Sequence, residues 1–172
     1  MKKKVISTQK LLFWTMLIMI LPMLGACQKD DGMDQEGVIN LKDIPENPIF
    51  ADLPLVGTTW KLIGFGDERS GKVKLAEPKD CENCYKINFL ENGEIWGRSH
   101  VNQTKGSFLL EENNNYNFKQ FSFGRMSYAG ELLDGDRFID AMKEANRYDV
   151  TSRGLFLYYS SREYLLFQPS ME

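Results

Sequence analysis

The sequence predicts a mainly β fold of the α+β class, a curved antiparallel sheet or small β-barrel carrying one amphipathic helix. Three observations predict it. Between residues 53 and 168 the apolar positions recur mostly with period two, the spacing of a strand buried on one face. The candidate strands are short and divided by turn residues, as in a meandering sheet rather than a run of βαβ units. Residues 136–146 alone carry a convincing helical period.

The elements follow in order. Residues 59–65 read as a strand with Trp60, Leu62 and Gly64 on one face. Tyr85, Ile87 and Phe89 alternate with Lys86 and Asn88, and Asn92-Gly93 follows. That dipeptide predicts a two-residue type I′ hairpin, because both central residues of such a turn need positive φ. The return strand starts at Ile95-Trp96 and runs through residues 97–102; Gly106, Phe108 and Leu110 mark the next, before a polar loop at 111–115. Tyr116 and Phe118 share one parity and Phe121 and Phe123 the other, so a bulge near Lys119-Gln120 is expected to bring all four rings to one face. Asp136 is expected to cap the helix, whose Phe138, Ile139, Met142 and Ala145 fall at i, i+1, i+4 and i+7. Three strands, near 148–150, 155–159 and 164–167, complete the domain.

The front end has a different character. Lys2, Lys3, Lys4 and Lys10 flank an apolar run at 11–24 that ends in Gly25, Ala26 and Cys27. A positive start, a short apolar core and small residues make a secretory signal peptide. The uncharged stretch approaches the lower limit of about 17 residues for a spanning helix, but Pro22 and the small residues argue for cleavage. Leu24-Gly25-Ala26-Cys27 resembles the lipobox of bacterial lipoproteins, which implies that Cys27 is acylated and anchors the chain in the membrane. Gln28-Lys29-Asp30-Asp31 resembles the export tag of surface lipoproteins, or is simply the solvated start of a tether. The expected localisation is therefore the outer membrane of a diderm bacterium, with surface exposure favoured. The organisation read from this is a signal peptide at 1–26, an acidic tether at 27–52 and a β domain at 53–168. Val38, Ile39, Leu41 and Ile44 are apolar enough to lie against that domain.

Without residues 1–26 the chain keeps 17 basic and 24 acidic groups, a formal charge of −7. No basic stripe is visible along the sequence, so nucleic acid is excluded as a partner.

From Leu55-Val56-Gly57-Thr58-Thr59-Trp60-Lys61-Leu62 onward the domain resembles the META domain family, the domain of HslJ-type heat-shock lipoproteins. Tyr85, Ile87, Phe89, Gly93, the run 97–106 with Asn102, Arg125-Met126, Tyr148, Val150, Leu155, Leu157, Leu165 and Phe167 carry the rest of the likeness. The resemblance implies an envelope-associated, mostly β protein with one helix and no established enzymatic reaction. Many members carry Cys where this chain has Val101 and Tyr128, which implies that those two positions pair in the family and that no thiol function transfers here.

Candidate chemistry is sparse. Cys81-Glu82-Asn83-Cys84 lacks the four ligands of a closed zinc site, and it leads into a strand rather than a helix that would activate a thiol. A short structural disulfide is the reading that an exported protein favours. His100 follows Ser99, yet neighbours on a strand point to opposite faces and no nucleophile elbow exists, so a surface or hydrogen-bonded histidine is expected. Glu111-Glu112 and Asp134, Asp136 and Asp140 read as capping and solvent-facing acids, with calcium binding or glycoside hydrolysis as the lesser readings. No catalytic residue, metal site or cofactor is expected. Strands such as 155–159 carry large residues of both parities, so one set must cover a second layer or form a partner surface. Tyr116, Tyr128, Phe156 and Tyr158 are the candidate partner-binding residues. The function expected is a non-catalytic, lipid-anchored surface protein with an interaction domain, acting in envelope stress tolerance or as an accessory subunit. The alternative is a lipoprotein that binds a small apolar or sugar ligand at a barrel mouth, and a carboxylate hydrolase comes last.

Overall fold

Alternation along the chain decides where strands form, and the register then decides what they enclose. The computed structural model describes residues 36–112 and 114–170. Cys27, the signal-peptide run and the Gln28 tag lie outside the described residues. Asp34–Glu172 forms one compact unit. Its elements are β1 (Val38–Asn40), a 3-10 turn (Leu41–Asp43), α1 (Pro48–Ala51), β2 (Thr59–Asp67), β3 (Lys72–Leu75), β4 (Lys86–Phe89) and β5 (Glu94–Arg98). There follow β6 (Gln103–Glu111), β7 (Asn114–Arg125), α2 (Gly135–Lys143), β8 (Arg147–Thr151), β9 (Gly154–Tyr158) and β10 (Glu163–Pro169).

The ten strands make one antiparallel sheet in the order β1-β3-β2-β10-β9-β8-β7-β6-β5-β4, and β4 pairs back onto β2. The sheet therefore curves into a ring of eight strands, with β3 and β1 extending from β2. The fold class read from the sequence holds. Inside the ring, Trp60, Phe89, Ile95, Phe123, Leu155, Leu157 and Phe167 pack with Phe138, Ile139 and Met142 of α2. The interior is filled by side chains.

Local differences have physical reasons. The β4–β5 connection is a three-residue loop, with Leu90 N–H and Glu94 C=O closing it and Gly93 N–H donating to Leu90 O. Gly93 takes φ +80° and Asn92 does not enter the left-handed region, so the turn is a type I turn with a glycine bulge rather than type I′. Asn92 instead uses its Oδ1 to accept Glu94 N–H at 3.0 Å. The bulge in β7 falls at Lys119, between the pairs Leu109↔Gln120 and Leu110↔Phe118. It brings Phe118, Phe121 and Phe123 to the core, while Tyr116 stays outside. The helix spans Gly135–Lys143, so it ends three residues short of the expected 146 and its cap falls two residues before the expected Asp136. Asp134 is its N-cap, and Asp136 lies in the first turn with an ion pair to Arg125 at 3.3 Å.

A second core lies on the outer face of β9, β10, β2 and β3. Phe156, Tyr158, Tyr164, Leu166 and Val73 pack there under Ile44, with Ile39, Leu41 and Ile63 around them. β9 and β10 are thus buried on both faces, which is why large residues of both parities occur in them. The covering layer is a strap from the N-terminal side of the domain. β1 pairs with β3 at Val38↔Lys74, Ile39↔Val73 and Asn40↔Lys72. Farther along, Asn47 N–H donates to Ser152 O at 2.7 Å and Glu46 pairs with Arg153 at 2.5 Å, which fastens the strap to the β8–β9 turn.

Candidate functional site

Two surface regions outside the cores are built rather than incidental. The first is the loop between β7 and α2. Met126, Tyr128, Leu132 and Leu133 are all exposed there, and Tyr128 is wholly in solvent. An apolar loop in water would ordinarily collapse, but Glu131 pins this one. Its Oε1 accepts Ser99 Oγ at 2.5 Å and also Asn102 Nδ2, while its Oε2 accepts Val101 N–H at 3.1 Å. Ser99 and Asn102 are buried. Burial alone would raise the Glu131 pKa, but the bonds from Ser99, Asn102 and Val101, with Arg125 nearby, hold it below the usual carboxylate range. Asn102 completes the bracket by donating to Ala129 O at 2.9 Å and accepting from Ser127 Oγ. The segments that hold Val101 and Tyr128 are therefore joined by side-chain hydrogen bonds where the family resemblance implies a disulfide.

This bracket also places the isolated histidine. His100 Nδ1 lies 3.2 Å from Leu132 O, whereas Ser99 Oγ bonds to Glu131 and to Asn102 O. The two side chains serve different partners, and no nucleophile–base pair forms between them. The acids are dispersed in the same way. Asp134 accepts Glu77 N–H at 2.8 Å, Asp136 meets Arg125 and Asp140 meets Lys143. Among the described residues no three His, Cys, Asp or Glu side chains converge as metal ligands.

The second region is an open groove of about 600 Å³ on the outer wall of β4 and β5. Cys81 and Cys84 are joined by a disulfide with Cα atoms 5.4 Å apart, and their turn forms one wall. Lys61 holds that turn by donating from Nζ to the carbonyl oxygens of Cys84, at 2.6 Å, and of Cys81. Partial burial and the nearby Lys86 lower the Lys61 pKa, against the opposing pull of Glu82. Trp96 lines the groove with its indole held from two sides. Nε1 donates to Glu94 Oε2 at 3.1 Å, and Lys105 Nζ stands 4.8 Å from the ring centroid. Lys105, Trp96 and Asn92 all bond to Glu94 and draw its pKa down to about 2.

Of the four aromatic residues singled out from the sequence, two lie at the surface. Tyr128 tops the pinned loop, and Tyr116 is 61% exposed with its ring 6.0 Å from that of Tyr148. Phe156 and Tyr158 are 8% and 7% exposed beneath the strap. A partner could reach them only by displacing residues 38–44. Arg147 seals the edge of this layer, 3.4 Å above the Tyr158 ring. The groove residues Lys86, Asn88, Trp96 and Arg98 were not legible as a set, because a basic cluster assembled from different strands leaves no run in the sequence.

Comparison with known proteins places these features in context. The family model described as "META domain" matches residues 53–172. A Tannerella forsythia protein named "Putative lipoprotein" is 22% identical over 160 residues, covering 92% of this chain and 94% of its own length. A protein from Burkholderia xenovorans solved by NMR has a similar fold, with TM-score 0.52 and 22% identity over 74% of this chain and 91% of its own. A crystal structure of a DUF4847 family protein from Bacteroides vulgatus gives TM-score 0.48 and 15% identity, over 72% of this chain and 97% of its own.

Proposed function

The chain belongs to the META domain family, and from that premise we propose that it is a non-catalytic, lipid-anchored envelope protein that contacts another envelope protein through its β7–α2 loop. Cys27 carries the acyl chains in this reading, and each buried CH₂ contributes about 0.8 kcal/mol to the anchor. The lipobox-like Leu24-Gly25-Ala26-Cys27 and the name of the Tannerella relative support it. Outer-membrane residence and outward display belong to the same proposal, supported by Gln28-Lys29-Asp30-Asp31. Among the roles open to such a protein, an accessory subunit of an envelope complex fits better than a general stress role, because the loop is shaped for contact.

One observation carries the reading. Glu131 takes three hydrogen bonds from the 99–102 turn to hold a loop whose outward residues are Met126, Tyr128, Leu132 and Leu133. A buried polar bracket that displays an exposed apolar surface resembles the rigid scaffolding of a contact loop. The test is a photo-crosslinking residue at Leu132 in intact cells, with one at exposed Lys42 as control. A single recurrent envelope protein should be captured at position 132 and not at 42. Adding Tyr128→Ala should cut that capture at least about fivefold, a loss of roughly 1 kcal/mol, with the melting temperature unchanged. Capture that is absent, or equal at both positions, overturns the contact role.

A further inference from the structure

The groove on β4 and β5 has a chemistry of its own, independent of the loop. Outward positions there alternate with buried Trp60, Ile87 and Ile95, and the register sets them in two cross-strand rows. One row runs Lys61, Lys86, Arg98 and Gln103 across β2, β4, β5 and β6. The next, about 7 Å along the strands, runs Thr59, Asn88, Trp96 and Lys105. Like charges directly opposite one another across a sheet oppose folding. An anion at the Arg98 end of the row would ease that repulsion, since Lys61 at the other end is already held by the Cys81 and Cys84 carbonyl oxygens. The setting strengthens the point: the chain beyond residue 26 carries a formal charge of −7, yet this wall gathers positive charge.

The second row supplies different chemistry. Trp96 is 38% exposed, and its ring is fixed by Glu94 and Lys105. An indole face is electron-rich and attracts the C–H edges of a sugar ring. Beside it, Asn88 Oδ1 is buried without any donor. Asn88 lines the groove, and a ligand hydroxyl that reached this oxygen would supply the missing hydrogen bond. Cation row and platform row are separated by about the width of one sugar ring.

We propose that this groove binds an acidic saccharide, with a sugar ring against Trp96, its carboxylate on Arg98 and Lys86, and hydroxyls on Asn88 and Asn83. Neither row alone specifies this ligand. A free anion makes no use of Trp96 or Asn88, and a neutral sugar makes no use of the cations.

The test uses the full-length protein in detergent micelles, titrated with trigalacturonate, with neutral galactotriose and with inorganic phosphate. Calorimetry gives the affinities, and the ¹⁵N shift of the Trp96 indole reports the site. Trigalacturonate should saturate and shift that indole, binding at least roughly tenfold more tightly than either control. Arg98→Ala and Trp96→Ala should each weaken it by roughly tenfold or more. Both side chains stand outside the core, so the melting temperature should hold; if Trp96→Ala does not fold, the Arg98→Ala result decides alone. No binding of trigalacturonate up to roughly 10 mM overturns the site. So does galactotriose or phosphate matching it, or an Arg98→Ala protein that binds as the parent does.

Discussion

Glu131 is the residue on which the contact loop depends. Its folded pKa lies below the usual carboxylate value, so the carboxylate contributes stability that is present above the unfolded pKa of about 4.3 and lost as pH falls through the folded value. The Val101 amide, which donates to Glu131 Oε2, should therefore be protected from hydrogen exchange at pH 6 and lose that protection in acid, as pH falls through the lowered folded value. Glu131→Gln removes the charge but keeps one acceptor. It should cost roughly 1–2 kcal/mol in urea unfolding and leave Val101 equally exposed at both pH values. A variant whose Val101 protection still falls with acid would assign the effect to another carboxylate. None of this was readable from the sequence. A glutamate in a polar loop carries no signal until the 99–102 turn is folded against it. Cys81 and Cys84 were legible because their spacing is local. Phe156 and Tyr158 were not placeable, since what covers them lies more than a hundred positions earlier.

At the scale of elements, the strap explains the doubly apolar strands. The parity of β9 already required either a second layer or a partner surface, and the apolar Val38, Ile39, Leu41 and Ile44 were visible as candidates to lie on the domain. The match between the two was not visible, because β1 is three residues long and β3 only four. Segments that short carry too few alternating positions to declare a strand. The bulge at Lys119 was legible for the opposite reason, since four aromatic rings change parity across it. Gly66 shows how closely the second core is packed. A Cβ built there would lie 2.1 Å from the Tyr164 ring, so only glycine lets that ring cross β2. Ile44 is 4% exposed and is the strap's main contribution to this core. Ile44→Ala should therefore destabilise the unit by about 2–4 kcal/mol in urea unfolding. A change under roughly 0.5 kcal/mol, the range of a surface substitution, would mean that the strap is not part of the cooperative fold.

For the whole molecule, the ring order fixes which walls oppose each other. Following β2, β10, β9, β8, β7, β6, β5 and β4 around the ring, β5 stands four strands from β9. The second core lies on the β9 and β10 wall, whereas Trp96 of β5 stands on a wall that the strap leaves open. Nine peptide links separate Cys27 from Glu36, which reach at most about 30 Å when extended. A folded unit of this length has a radius of gyration of about 14 Å, so a tether of that reach would let the unit stand clear of a bilayer in which Cys27 is anchored. The acidic residues Asp30, Asp31 and Asp34 would repel an anionic surface and favour standing off over lying flat. In nanodiscs that carry anionic and paramagnetic lipid, the acylated protein should then show stronger broadening of its exposed amides, Lys42 and Lys105 among them, in high salt than in low salt, because salt screens that repulsion. Equal broadening at both salt concentrations would mean that the acidic residues do not set the distance of the unit from the bilayer.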